Sequence, residues 1–172
     1  MRYTTREIAL VAILSCLGAV ISVPIGYLGN YLKTIPIIPF GFGQILSGFH
    51  IFILTLSSLL IRKPEASTVT ATIKGLVEAT LFSFHGIPVI IMSSLQGLIL
   101  DIIVYIFGKR DIIYYVGCGI ASTSNVAYIQ FFLLSPFPAN IFVFMYLLSF
   151  ISGLIFGGYG GVLLHKMVRN RM

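Results

Sequence analysis

Tryptophan is absent from this sequence and charge nearly so: 9% of its 172 residues are Asp, Glu, Lys or Arg, and only five of those are acidic. A soluble domain carries about a quarter charged residues, so the water-soluble classes are excluded. Cysteine is equally sparse. Cys16 and Cys118 sit in separate apolar segments with no CxxC spacing, which excludes a disulfide framework and reads both as small buried hydrophobes. The three histidines, His50, His85 and His165, fall mid-span, at the outer face and at the inner face, too far apart in depth to share a metal. No phosphate-cradling glycine motif, no nucleophile paired with a base and no ATPase segment is legible. The expectation is a chain with no catalysis, no cofactor and no metal of its own.

What is present is apolar: 58% of residues are hydrophobic and the mean hydropathy is +1.02. Charge is missing from Ile8 to Leu32, Thr34 to Ile61, Ala79 to Leu100 and Ile112 to His165, and each stretch exceeds the roughly 20 residues that cross a bilayer. The last is long enough for two helices and breaks at Ser135-Pro136-Phe137-Pro138-Ala139-Asn140. Arg62-Lys63-Pro64-Glu65, His85-Gly86-Ile87-Pro88 and Gly108-Lys109-Arg110-Asp111 supply further breaks. These predict one all-α integral membrane domain over residues 1–172 with six transmembrane helices: Ile8 to Val23, Gly41 to Ile61, Ala66 to Phe84, Ile87 to Phe107, Ile112 to Leu134 and Ile141 to Lys166. The first apolar stretch is too long for a signal h-region and is read as retained.

The net charge of +6 has a topological role here, and nucleic acid is not an expected partner. Arg2, Arg6, Arg62, Lys63, Lys109, Arg110, Lys166, Arg169 and Arg171 all fall on the side of the termini, with Lys33 opposite. By the positive-inside rule both termini are cytoplasmic; the expected location is the plasma membrane of a prokaryotic cell. Segment Pro24 to Phe40 then lies outside. It is too proline-rich for a span and too apolar for a solvated loop, so outer loop 1 is expected to fold back, either anchored at the headgroups by Tyr27 and Tyr31 or as a lid over a cavity.

Ionisable groups inside a bilayer are costly and mark function by default; here they are Lys74, Glu78 and Asp101. Lys74 and Glu78 share a helix face at i,i+4. A rise of about 1.5 Å per residue also places Lys74 about 12 Å and Asp101 about 9 Å from the cytoplasmic face, level enough for an interhelical ion pair that frees Glu78 for a ligand. Gln96, Asn125, Gln44, His50 and Tyr128 fall in the same outer half, so several helices offer polar groups at one level. Mostly apolar walls with a few orienting polar groups describe a small-molecule site; singly, each is equally an interhelical hydrogen bond. Two small-residue stripes, Ser149/Gly153/Gly157/Gly161 and Ala12/Ser15/Cys16/Ala19, permit close helix approach, within the chain or to a separate membrane subunit.

Six spans without an ATPase resemble the substrate-binding S-component of an energy-coupling factor (ECF) vitamin transporter. Ile61-Arg62-Lys63-Pro64, Leu76-Val77-Glu78-Ala79 and Leu95-Gln96-Gly97-Leu98 followed by Asp101 are similar to the YkoE-like S-components linked to thiamine and its hydroxymethylpyrimidine precursor. The resemblance implies an ABC-type vitamin importer, with a vitamin-type ligand bound from the outer face by Glu78 and Gln96, and a transmembrane coupling subunit (EcfT-like) with two cytoplasmic ABC ATPases as partners. It implies docking through Ala12, Ser15, Cys16 and Ala19. Glu65 stands where glycine is expected after Lys-Pro, and Asp101 where glutamate is expected. The candidate ligand set is Glu78, Gln96, Asn125, Gln44, His50, Tyr27, Tyr31 and Tyr128. The alternatives are an S-component for a different vitamin, and a stand-alone ion-coupled carrier using Lys74, Glu78 and Asp101 as a titrating relay. An integral membrane enzyme would have only His85 and His165 to work with, and a purely structural subunit would have no ligand.

Overall fold

Thr4 and Glu7 open the first helix with a reciprocal capping box: the Thr4 N–H donates to Glu7 Oε2 at 2.7 Å and the Glu7 N–H donates to Thr4 Oγ1 at 3.3 Å. The computed structural model of the chain describes residues 3–32, 42–81, 86–132 and 138–170, all helix and short connection. In order they are α1 (Thr5–Leu32), a 3-10 turn (Phe42–Leu46) leading into α2 (Ser47–Ile61), α3 (Ala66–Thr80), α4 (Pro88–Phe107), α5 (Asp111–Phe132), and α6 (Ala139–Ser152) joined to α7 (Gly160–Arg169) by a π-helical stretch (Gly153–Tyr159). Among the described residues, five stretches are long and apolar enough to cross a membrane: Thr5–Leu32, Gly43–Ile61, Pro88–Phe107, Asp111–Phe132 and Ala139–Arg169. With 15 residues, α3 is shorter. The span expected from Ala66 to Phe84 runs into residues 82–85, which include His85 and lie outside the described residues.

The largest departure from expectation is in α1. It does not end at Val23 but carries Pro24 inside the helix and continues to Leu32. Proline removes one backbone donor, and within a bundle neighbouring elements make good the loss, so a single proline is a weak stop signal in a membrane helix. The first half of the expected outer loop, Tyr27 and Tyr31 included, is therefore helical; its remainder, with Lys33, lies outside the described residues.

Each end of the chain is tied to a different connection, the first to the turn between α2 and α3 and the last to the start of α5. Lys63 Nζ lies 2.7 Å from Glu7 Oε2 and 4.4 Å from the centre of the Tyr3 ring, and Lys166 pairs with Asp111. The core runs along α2, whose Ile51 and Leu54 meet Leu100, Tyr114, Cys118 and Val162. Close approach is set by glycine. A Cβ on Gly97 would meet the Ser67 carbonyl oxygen at 2.6 Å and Thr68 Cα at 2.8 Å, so α3 and α4 touch backbone to backbone there. Gly161 lies against the Thr55 side chain, where a Cβ would meet Thr55 Cβ at 2.7 Å, and Gly157 against the Gly48 carbonyl. The Ser149/Gly153/Gly157/Gly161 stripe thus packs within the chain.

The α1 stripe divides. Ser15 and Ala19 are fully buried, and Ser15 Oγ donates to the Thr70 carbonyl at 3.0 Å, which removes both from any docking surface. Ala12 and Cys16 are exposed. At 100° per residue the four span one arc whose edge is the border between core and lipid. Cys16 is consequently not the buried hydrophobe expected of it; Cys118 is.

Candidate substrate site

The ends of α1 and α5, the 3-10 turn and the beginning of α2 enclose a cavity of about 60 Å³ lined by Gly26, Gly29, Asn30, Gln44, Ser47, His50 and Asn125. A second cavity of about 20 Å³ adjoins it, sharing His50 and Asn125 and adding Glu78 from α3 and Val89, Met92, Ser93 and Gln96 from α4. Both lie away from the chain termini, at the far end of the bundle from Lys63 and Lys166.

A hydroxyl cluster fixes the turn that carries Gln44. Ser47 Oγ is 2.6 Å from the Gln44 carbonyl, 2.8 Å from Ser122 Oγ and 3.1 Å from Ser149 Oγ. The Gly48 N–H donates to Ser152 Oγ at 2.9 Å, and Ser152 Oγ donates to the Ile45 carbonyl. His50 is aimed by Ser22, whose Oγ lies 3.0 Å from its Nδ1. Two acceptors stand apart from these networks. Gln44 Oε1 and Asn125 Oδ1 are buried and receive a hydrogen bond from no protein group among the described residues, although buried polar atoms are nearly always paired.

The intramembrane charges are arranged differently from the expected interhelical pair. Lys74 Nζ donates to Glu78 Oε2 at 2.8 Å, and both side chains are 1% exposed. Lys74 does not pair with Asp101. Its alkyl stem lies against Gly18 of α1, where a Cβ would come within 3.1 Å of Lys74 Cδ, so the missing side chain of Gly18 makes the groove in which the lysine lies. Asp101 instead caps α3: Oδ1 accepts from the Ser67 N–H at 3.2 Å, and Oδ2 accepts from the Thr68 N–H and Thr68 Oγ1, each at 2.7 Å. A carboxylate is drawn there because the first-turn N–H groups have no intrahelical acceptor and carry the positive end of the helix dipole. Asp101→Asn keeps one acceptor and loses the charge, so thermal unfolding in detergent is expected to report a loss of about 1 to 2 kcal/mol, with ligand binding little changed.

Of the eight expected ligand residues, Glu78, Gln96, Asn125, Gln44 and His50 come together on these walls. Tyr27 and Tyr31 do not; they are 50% and 64% exposed on the outer side of α1. Tyr128 stacks on Phe132 with ring centres 5.1 Å apart. Asn30 and Ser93 were missed. Asn30 was hidden by treating its segment as loop; continued as helix, Gly26, Gly29 and Asn30 recur at the three- and four-residue spacing of one face. Ser93 lies one turn before Gln96, at the three-residue spacing that puts both on the cavity wall.

The sequence pattern of the ABC-type cobalt transport system permease components matches residues 6–127. The chain belongs to that family. This permease shares its fold with a crystal structure of an S-component of an ECF transporter, with a TM-score of 0.86 and 21% identity over 97% of this chain and 86% of that one. No curated protein matches the sequence. The permease is thus a membrane protein of transport type built on the S-component fold.

Proposed function

We propose that this permease is the substrate-binding subunit of an ECF-type importer and that it takes a compact, neutral, nitrogen-rich ring, hydroxymethylpyrimidine in preference to thiamine. The observation that carries the reading is the pair of unsatisfied buried acceptors, Gln44 Oε1 and Asn125 Oδ1, on the same walls as the Gln96 amide. An exocyclic amine supplies the donors they lack. Neutrality follows from Glu78: its charge is already balanced by Lys74, so the walls offer no spare anion to a thiazolium cation. In this reading the ligand end faces outward, the basic end is cytoplasmic, and Ala12 and Cys16 remain of the α1 docking surface for a transmembrane coupling subunit that works with two ATPases.

The family description names cobalt. Among the described residues the cavity walls supply only His50 and Glu78 as strong ligands for such a metal, no group of three or more His, Cys, Asp or Glu is found, and Glu78 is held by Lys74. Amide oxygens suit harder cations. Calorimetry of the detergent-purified chain with hydroxymethylpyrimidine, thiamine and Co²⁺ tests the reading. Hydroxymethylpyrimidine is expected to bind at least about tenfold more tightly than thiamine, the preference a single unbalanced charge interaction of about 1.4 kcal/mol produces. Saturable Co²⁺ binding with no response to either organic ligand overturns it.

A further inference from the structure

We infer that the opposite, basic end of the bundle carries a phosphate-binding site built from Arg62, Lys109, His165, Lys166 and Arg169. These residues, with Asp111 and Tyr114, line a cavity of about 290 Å³ between the turn after α2, the turn before α5 and the last turns of α7. Four fixed positive charges face it against one carboxylate, Asp111, which is already engaged by Lys166. Glu7 and Glu78 are held by other lysines and Asp101 by the start of α3. Among the described residues no carboxylate forms an ion pair with Arg62, Lys109 or Arg169.

Two details point to an oxyanion. Arg62 ends α2 with φ 59, a left-handed conformation that glycine adopts freely and a long side chain rarely does. Its backbone is fully used: its N–H donates to the Ser58 carbonyl at 3.0 Å and its carbonyl accepts from Lys109 Nζ at 2.5 Å. The strained position therefore keeps a guanidinium at the cavity wall, where strain is retained for what the side chain does. Beside it, His165 Nδ1 is buried and has no protein partner among the described residues; as the neutral Nδ1–H tautomer it donates to an oxygen in the cavity. Fork-shaped guanidiniums and fixed N–H donors match the oxygens of a phosphate ester. The place fits an acidic phospholipid headgroup, since basic pockets between helix ends recruit such lipids, and the same chemistry would hold a soluble phosphate.

The test uses the full chain in detergent, with phosphatidylglycerol, phosphatidylcholine and inorganic phosphate as probes, read by native mass spectrometry and thermal shift. Phosphatidylglycerol is expected to bind at least tenfold more tightly than phosphatidylcholine. Arg62→Gly with Arg169→Gln should weaken it about thirtyfold, the effect of removing two cations near a lipid surface, while Arg6→Gln, which removes one charge elsewhere as Arg169→Gln alone does here, should leave it within about twofold. Arg62→Gly suits the left-handed turn and should fold; Arg169→Gln alone, on an exposed last turn, gives the same answer at about fivefold if the double variant does not. Competition by millimolar inorganic phosphate supports the site and assigns a soluble phosphate to it, and its failure to compete assigns the lipid. Equal binding of the two lipids, or an Arg6→Gln loss as large as that of the double variant, overturns the proposal.

Discussion

Lys74→Met is expected to destabilise the unliganded permease by about 3 to 5 kcal/mol, the usual result of stripping one partner from a buried ion pair. The cost arises because Glu78, 1% exposed and held at 2.8 Å by Lys74, is left with an uncompensated charge that burial penalises. Methionine matches the lysine stem and keeps its contact with Gly18, so the loss reflects charge and not a cavity. Replacing both members, Lys74→Met with Glu78→Leu, should restore most of the stability, since apolar replacement of a buried pair is often neutral. Thermal unfolding of the two variants distinguishes this from simple repacking, for which the double variant would be the worse. A ligand consequence follows. Once Lys74 is gone, Glu78 has its charge to offer, and thiamine should gain affinity over hydroxymethylpyrimidine. A single variant as stable as the parent would show that the pair does not carry the charge balance.

That pairing also marks the limit of what the sequence makes legible. Rise per residue gives depth, and depth correctly grouped Glu78 with Gln96 and placed His50, Gln44 and Asn125 near them. It gives no azimuth. Glu78 and Asp101 were both within reach of Lys74, and the choice was made by Gly18 on α1, 56 positions earlier in the chain, whose groove receives the lysine stem, and by the unsatisfied N–H groups of Ser67 and Thr68 that take Asp101. Such contacts join distant parts of the chain, and hydropathy does not register them. Helix positions were legible for the opposite reason: the bilayer-like composition of each span is local. Pro24 misled because its stop signal is calibrated on water, where a lost backbone hydrogen bond has fewer neighbours to repair it. Misreading that helix end hid Asn30, and Tyr27 and Tyr31, expected in a loop, sit on the continued helix away from the cavity walls.

The sharpest separation of binding from structure should come from the two unsatisfied acceptors. An interhelical hydrogen bond and a ligand contact respond oppositely to an apolar replacement. If Gln44 Oε1 and Asn125 Oδ1 were structural, Gln44→Met and Asn125→Leu would destabilise the chain by removing a partner. Neither atom accepts a hydrogen bond from a protein group among the described residues, so the replacements instead relieve a buried polar group of its desolvation cost, about 1 to 3 kcal/mol. The unliganded protein should therefore melt at the same temperature or higher. Binding should move the other way. Each lost acceptor leaves a ligand amine desolvated and unpaired, weakening hydroxymethylpyrimidine by about ten- to a hundredfold per site, because each 1.4 kcal/mol is a factor of ten. Calorimetry and thermal unfolding on the same preparations read both effects. Raised stability with lost binding is what a site held open for its ligand requires; lowered stability with binding intact would return both residues to the ordinary packing of a helix bundle.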